Sequence, residues 1–306
     1  MRLLGAVLIV SGPATPTRPV HTSALGPAAS ARDSACAGDP SWTARQEPIR
    51  IYGNTWHVGP QGLGVFLITS PGGHVLIDGG LAGNTSLIEA NIRSLGINLR
   101  DIKWILNSHA HCDHAGGIAE LARATGAQVI ASAADTLSLA RGGRDDPQYG
   151  DRFLFPAVRV TRTVADGENL RLGTLVLTAH ATPGHTRGNT TWTWQSCEGT
   201  RCLGLVLIGS LSAPDYKLVD NPRYPGIVND YARGFAMLAA LPCEIALAPH
   251  PGMVDFWERV ARRDKGDADA LVNPALCRAY AGDARAGFEE ELTRQTGAAA
   301  GTGQRP

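Results

Sequence analysis

One stretch limits what this chain can become: Asn107-Ser108-His109-Ala110-His111-Cys112-Asp113-His114-Ala115-Gly116-Gly117, set directly after the apolar run Trp104-Ile105-Leu106. The apolar run reads as a buried strand, and Gly116-Gly117 followed by Ile118-Ala119-Glu120-Leu121 reads as a helix start. Ligand-type side chains therefore crowd the turn between strand and helix, where rigid scaffolds display chemistry. On an extended backbone His109 and His111 point the same way, because side chains alternate with a period of two. Both imidazoles then reach one metal ion. Asp113 and His114 fall on the turn into the helix, aim elsewhere and suit a second ion. Imidazole mixed with carboxylate favours zinc over calcium or magnesium. A merely polar, histidine-rich loop is the bland alternative, but four ligand types at this spacing seldom coincide by accident.

Two further histidines complete the set. His185 stands in Thr182-Pro183-Gly184-His185-Thr186 after the apolar strand ending at Ala179, and His250 stands in Pro249-His250-Pro251-Gly252 after Ile245 to Ala248. A lone histidine is by default a packing or surface residue. Glycine and proline flanks at strand ends, in a chain already carrying the ligand turn, reverse that default. The first ion then has His109, His111 and His185, and the second has Asp113, His114 and His250. Three protein ligands and an open position are the pattern of catalytic zinc, whereas structural sites close with four. His21, His57, His74 and His180 lack this setting and read as leader, packing or surface residues.

The 306 residues, 43% of them hydrophobic, can bury one large core or two modest ones. Basic and acidic residues balance at 28 each, which gives no reason to expect a nucleic-acid partner or an anionic membrane surface. Met1-Arg2 followed by Leu3 to Val10 reads as a short export signal, too short for a membrane anchor. Residues 1–32 read as signal and disordered leader, residues 33–296 as a single domain, and residues 297–306 as a disordered tail. Short strands are expected at Ile49 to Tyr52, Thr55 to Val58, Val65 to Thr69 and His74 to Asp78, forming an antiparallel meander. A capping box at Ser86 to Glu89 starts a helix, and Ser132 caps another that ends at Ala140. Residues 141–156 form a loop that either flanks an active site or merely connects. The second half repeats the logic, with strands at Val158 to Thr161, Leu175 to Ala179, Thr190 to Trp194, Leu203 to Ile208 and Ile245 to Ala248. A helix follows Asn229-Asp230, and a last helix after Pro274 runs to about Gln295. Together these elements predict an α/β fold of two mixed sheets packed face to face with helices outside.

Among the six cysteines, Cys197 and Cys202 flank a turn and Cys243 and Cys277 flank helices, so both pairs read as disulfides. Such bridges imply an oxidising compartment, periplasmic or secreted. Cys36 and Cys112 are left over. Cys112, facing away from the first ion, reads as a small half-buried filler, with a thiol that oxidises or weakly engages metal as the sharper alternative.

The turn His109-x-His111-x-Asp113-His114, His185 in its Pro-Gly-His-Thr turn and His250 resemble the metallo-β-lactamase superfamily, over most of residues 45 to 295. That resemblance implies the αββα sandwich. Gly209-Ser210-Leu211-Ser212-Ala213-Pro214, Asn221-Pro222-Arg223-Tyr224-Pro225 and Pro249-His250-Pro251 resemble the third subclass of class B β-lactamases. Ser210 stands where glyoxalase II and lactonase relatives place a bridging aspartate and the thiol-ligand subclass places cysteine. Asp215 lies five residues on, beyond Ala213-Pro214, and is not expected to substitute. Arg187 replaces the proline common in the His185 turn, which loosens that turn or adds positive charge near the pocket.

The resemblance implies a two-zinc enzyme that opens the lactam ring of penicillins, cephalosporins and carbapenems with a metal-bound hydroxide. Asp113 would ligate and help orient the nucleophile, Ser212 would hold the substrate carboxylate, and Ser210 would support it or touch substrate. The partner implied is a small β-lactam, with no nucleic acid, no membrane after signal removal and no obligate protein. A lactone or thioester hydrolase of the same fold is the alternative enzyme. A zinc-binding protein without catalysis is the alternative outside enzymology.

Overall fold

The computed structural model describes residue 36 and residues 38–302, and the expected signal and leader over 1–32 lie outside them. Short apolar segments broken by glycine and proline give the strands β1 (Ile49–Tyr52), β2 (Thr55–His57), β3 (Phe66–Ile68) and β4 (His74–Ile77), then helix α1 (Thr85–Ser94) and strand β5 (Ile102–Leu106). The one-turn helix α2 (Cys112–Ala115), α3 (Ile118–Thr125), β6 (Gln128–Ser132), α4 (Thr136–Arg141) and β7 (Arg162–Val164) complete the first half. The second half runs β8 (Asn169–Leu172), β9 (Leu175–Ala181), β10 (Thr190–Glu198), β11 (Arg201–Leu207), α5 (Ile227–Ala240), β12 (Ile245–Leu247), α6 (Phe256–Asp264) and α7 (Leu276–Thr302).

Seven strands form one sheet in the order β1-β2-β3-β4-β5-β6-β7, and five form a second in the order β12-β11-β10-β9-β8. The first sheet opens as the expected antiparallel meander through β4 and continues in parallel from β4 to β7. Strand alternation divides its side chains between two apolar layers. Phe66, Ile68, Val75, Ile77, Trp104 and Leu106 face the second sheet and meet Trp192, Trp194, Leu205 and Leu207. Leu67, Leu76 and Ile105 face outward beneath Ile88 and Ile92 of α1 and Ile118 and Leu121 of α3. On the other side α5 packs on α7 and β9, and α7 packs on β12. The layers are helix, sheet, sheet, helix, as expected.

Polar bolts also join the sheets. Trp192 Nε1 donates to Asn107 O at 3.2 Å and Trp194 Nε1 to Thr55 Oγ1 at 3.0 Å, giving each buried indole N–H a partner in the first sheet. The first bolt matters for function, because Asn107 opens the histidine turn.

Several boundaries differ from expectation. The strand expected at 158–161 lies at Arg162–Val164, because Val158 packs into the outer apolar layer and its amide bonds to Leu139 O instead of a ladder. No capping box forms at Ser86: α1 begins at Thr85, and Asn84 Oδ1 accepts from Leu81 N. Strand β8 and helix α6 were not anticipated. Helix α6 buries only Phe256, Val260 and the Arg259 side chain, which donates to Val254 O and Ala270 O, so its apolar stripe is too thin to read. The last helix continues past Gln295 to Thr302, into the stretch expected as a disordered tail.

Cysteine pairing corrects the reading of Cys112. Cys197–Cys202 and Cys243–Cys277 pair as expected, but Cys112 is bonded to Cys36 across a sequence separation of 76. It is neither a filler nor a free thiol, and no described cysteine is free. The bridge fastens the N-terminal segment at Cys36 to the ligand turn, next to Asp113.

Candidate metal centre

Strand ends of both sheets meet at one edge, and the six expected ligands meet there. Ligand atoms of His109, His111 and His185 lie within 4.8 Å of one another, as do those of Asp113, His114 and His250. His111 Nδ1 is 3.1 Å from His185 Nε2. In the second group Asp113 Oδ2 is 3.0 Å from His114 Nε2 and 3.2 Å from His250 Nε2. The two groups adjoin, with the His109 and His114 rings 4.3 Å apart between centroids.

The far ring nitrogens explain which atoms face inward. Ser108 Oγ donates its single proton to Asp78 Oδ2 at 2.6 Å, so it accepts from His109 Nδ1 at 3.0 Å, leaving Nε2 as an inward lone pair. His185 Nδ1 donates to Ser212 O at 2.8 Å, which frees its Nε2 in the same way. His111 Nε2 stands 3.5 Å from Asp146 Oδ2. His114 Nδ1 stands 4.0 Å from Asp78 Oδ2. The Ser108 and Ser212 partners fix tautomer and ring direction for His109 and His185, as outer partners do around bound metals, whereas His111 Nε2 and His114 Nδ1 are buried without a hydrogen-bond partner.

Electrostatics agree with a cation-binding nest. Burial, reinforced by neighbouring imidazoles, holds the His109 pKa well below its usual range, and burial with His111 does the same for His185. Both rings are therefore neutral and available as donors near neutral pH. Burial pushes the Asp113 carboxyl up, but His114 and His250 outweigh it and hold its pKa well below the ordinary value. Burial likewise opposes charge on His114, and the Asp113 carboxylate reverses that and raises its pKa. Neutral inward lone pairs beside a carboxylate leave negative potential that a divalent cation fits.

Backbone accounting shows how each turn is held. Asn107 N bonds to Ile130 O, and Thr190 N to Ser108 O at 2.8 Å, so the histidine turn is tied to β6 and to β10 of the second sheet. In the His185 turn Gly184 adopts φ of 135°, where a side chain is strained, and a Cβ would lie 2.6 Å from the Tyr231 ring. Asn189 Nδ2 donates to Thr182 O at 2.6 Å and to Ser210 O at 2.9 Å, joining the His185 and Ser210 turns. Pro249 O accepts from Gly64 N at 2.7 Å beside His250.

A cavity of 560 Å³ opens over both groups, walled by Trp42, His111, Asp113, Tyr149, Arg152, Phe153, His185, Ser212, Pro214, His250 and Met253 among others. Trp42 tilts over His250 with 5.1 Å between ring centroids. The 141–156 loop therefore flanks the site, through Tyr149, Arg152, Phe153 and Asp146. Ser212 lines the cavity, whereas Ser210 is buried beneath it with the two hydroxyls 3.1 Å apart. Asp215 is exposed and outside both ligand groups. Arg187 packs over the Tyr224 ring at 5.0 Å and donates to Arg223 O, so the cavity's positive side chain is Arg152 instead. Sequence reasoning missed Asp78, Asp135, Asp146 and Tyr216, the last donating to His185 O at 3.0 Å. Asp78, the last residue of the strand expected from His74, adopts φ of 64°, the mark of a strained functional position.

Comparison with known proteins fits this geometry. Residues 64–194 match the family model described as the metallo-beta-lactamase superfamily. The chain is 32% identical over 130 residues to a hydroxyacylglutathione hydrolase of Anaeromyxobacter dehalogenans, spanning 42% of this chain and 41% of that enzyme's length. Among solved structures, Rm3 metallo-beta-lactamase superposes with a TM-score of 0.81 at 45% identity, covering 85% of this chain and 98% of that one. The subclass B3 metallo-beta-lactamase BJP-1 of Bradyrhizobium japonicum gives 0.80 at 36% identity, with 85% and 98% covered. The fold implies a divalent metal, usually zinc, in a hydrolytic enzyme. Strand-end ligand turns, two facing sheets and near-complete overlap with these enzymes converge on one conclusion: the chain belongs to the metallo-β-lactamase superfamily.

Proposed function

We propose that this enzyme is a two-zinc β-lactam hydrolase of the third subclass of class B, exported to the periplasm or beyond. One observation carries the reading: two adjoining three-ligand groups, His109/His111/His185 and Asp113/His114/His250, with serine at position 210 in place of a bridging acid. The first group would hold one ion and the second another, each with coordination to spare. Bound zinc supplies Lewis acidity and makes water a nucleophile near neutral pH.

The chain's own residues supply the remainder. Asp113, kept ionised by His114 and His250, ligates and offers an acceptor that orients a water proton. Ser212 presents a hydroxyl from the cavity wall to the substrate carboxylate, and Ser210 fixes that hydroxyl from below. Trp42, Tyr149 and Phe153 give the fused ring system apolar walls and exclude water around it. Three disulfides support an oxidising destination, and no helix among the described residues is long and apolar enough to cross a membrane.

A second reading, hydrolysis of a thioester, has the hydroxyacylglutathione hydrolase relatives behind it. A substrate panel decides: a chromogenic cephalosporin, a carbapenem, a lactone and a glutathione thioester, each with and without chelator. Chelator-sensitive lactam turnover that zinc restores is the expected result. Thioester or lactone turnover without lactam turnover would overturn the assignment.

A further inference from the structure

Helix α4 begins with a carboxylate that does no capping. Asp135 occupies the N-cap position, yet it makes no side-chain bond to the helix amides, and Ser132 bonds the Ala134 amide in the preceding turn instead. Its oxygens go to the metal centre. Oδ2 accepts from Ala110 N at 3.0 Å and from Thr186 Oγ1 at 2.6 Å, while Oδ1 accepts from Gly188 N at 2.8 Å. Ala110 lies between His109 and His111, and Thr186 follows His185. One buried carboxylate, 2% exposed, thus ties together the two turns that carry all three imidazoles of the first group.

The approach is close enough to dictate sequence on the other side. A Cβ on Gly188 would lie 2.5 Å from Asp135 N and 2.7 Å from Asp135 Cβ and Cγ, so only glycine lets the His185 turn seat against α4. No comparable link runs from Asp135 to His250 or to the Asp113 side chain. His114 lies instead near Asp78, which also holds Ser108, the partner of His109, and accepts from Ser108 N at 2.7 Å.

We infer that Asp135 is a positioning residue for the first metal site alone, setting the spacing between the His109/His111 pair and His185. This rests on reading those three imidazoles as one ligand set. Losing the clamp lets the His185 turn drift from the other two, which weakens three-nitrogen coordination and leaves the Asp113/His114/His250 group in place.

Metal binding tests this without any substrate. The purified mature chain and its D135N and T186V variants are titrated with zinc under a competing chelator, resolving two binding steps. Cobalt(II)-loaded samples report ligand geometry through their visible bands. D135N is expected to weaken one step by roughly 10- to 100-fold, the size usual for outer partners of metal ligands, with the other step unchanged and the high-nitrogen cobalt bands altered. T186V removes one of the three bonds, leaves the carboxylate in place and gives a smaller change in the same step, which covers a D135N chain that does not fold. Wild-type affinities in both variants, or equal weakening of both steps, would overturn the inference. A wild-type chain showing no two-step binding would refute the metal reading itself, and this inference with it.

Discussion

The Cys36–Cys112 bridge ends between two proposed ligands, His111 and Asp113, and anchors the segment that carries Trp42 over His250. Replacing both cysteines by alanine should therefore affect stability and substrate binding together. The bridge closes a loop of sequence separation 76, and neither other disulfide falls inside it. In the chain-entropy account a loop of this size withholds about 15 cal/mol/K from the unfolded chain, about 4.5 kcal/mol at 25 °C. Against that, C36A/C112A keeps two small apolar side chains at buried positions and opens little space. Between Asp39 and Trp42 the strap is then held by weaker ties, among them Asn84 Nδ2 donating to Trp42 O at 3.1 Å and Gly62 N to Ser41 O at 2.9 Å. Guanidinium unfolding of the mature protein should show a lower midpoint and a steeper slope, because the unbridged unfolded chain exposes more surface, with a loss of about 3–4 kcal/mol. Steady-state kinetics on a cephalosporin should show KM raised more than kcat is lowered, because Trp42 walls the cavity but supplies no ligand atom. A loss under about 1 kcal/mol with KM unchanged would refute both the bridge and the strap's role.

Burial holds the His57 pKa at about 4 against 6.5, only partly offset by its bond to Leu63 O, so the unfolded chain binds the extra proton between those values. Stability should fall as pH drops from 6.5 towards 4, by up to about 3 kcal/mol, and H57F should flatten that part of the pH–stability curve; an identical slope would exclude the assignment. S212A should raise KM roughly tenfold with kcat little changed, as loss of a hydrogen bond to a charged group requires, and unchanged kinetics would remove Ser212 from the substrate site. G184A puts a methyl 2.6 Å from the Tyr231 ring at a left-handed position, and should lower the melting temperature and the zinc content together. Calorimetry and metal analysis on one preparation check both.

What the sequence disclosed and what it hid follow from range. The ligand turn was legible because its meaning lies in local spacing: strand alternation pairs His109 with His111, and the helix start turns Asp113 and His114 aside. His185 and His250 were legible because glycine and proline mark strand ends. Asp78, Asp135 and Asp146 were not, since each is defined by acceptors and donors brought from elsewhere by folding. Asp135 in particular looks locally like a helix cap. Cys112 was misread for the same reason, its partner lying in a segment with no strand or helix signal. Ser210 was singled out by motif, but only the packed turn shows it lying beneath Ser212. Strand boundaries shifted where apolar residues such as Val158 pack under a helix, a use that period alone does not separate from a ladder.

The central claim is that two adjoining three-ligand groups hold zinc for lactam hydrolysis. Its most direct test is one titration: metal-free mature protein receives zinc stepwise while bound metal and cephalosporin turnover are read on the same samples. Two equivalents bound per chain, with turnover rising as they bind, is the predicted result. One equivalent at saturation, or full loading with no lactam turnover, would contradict it.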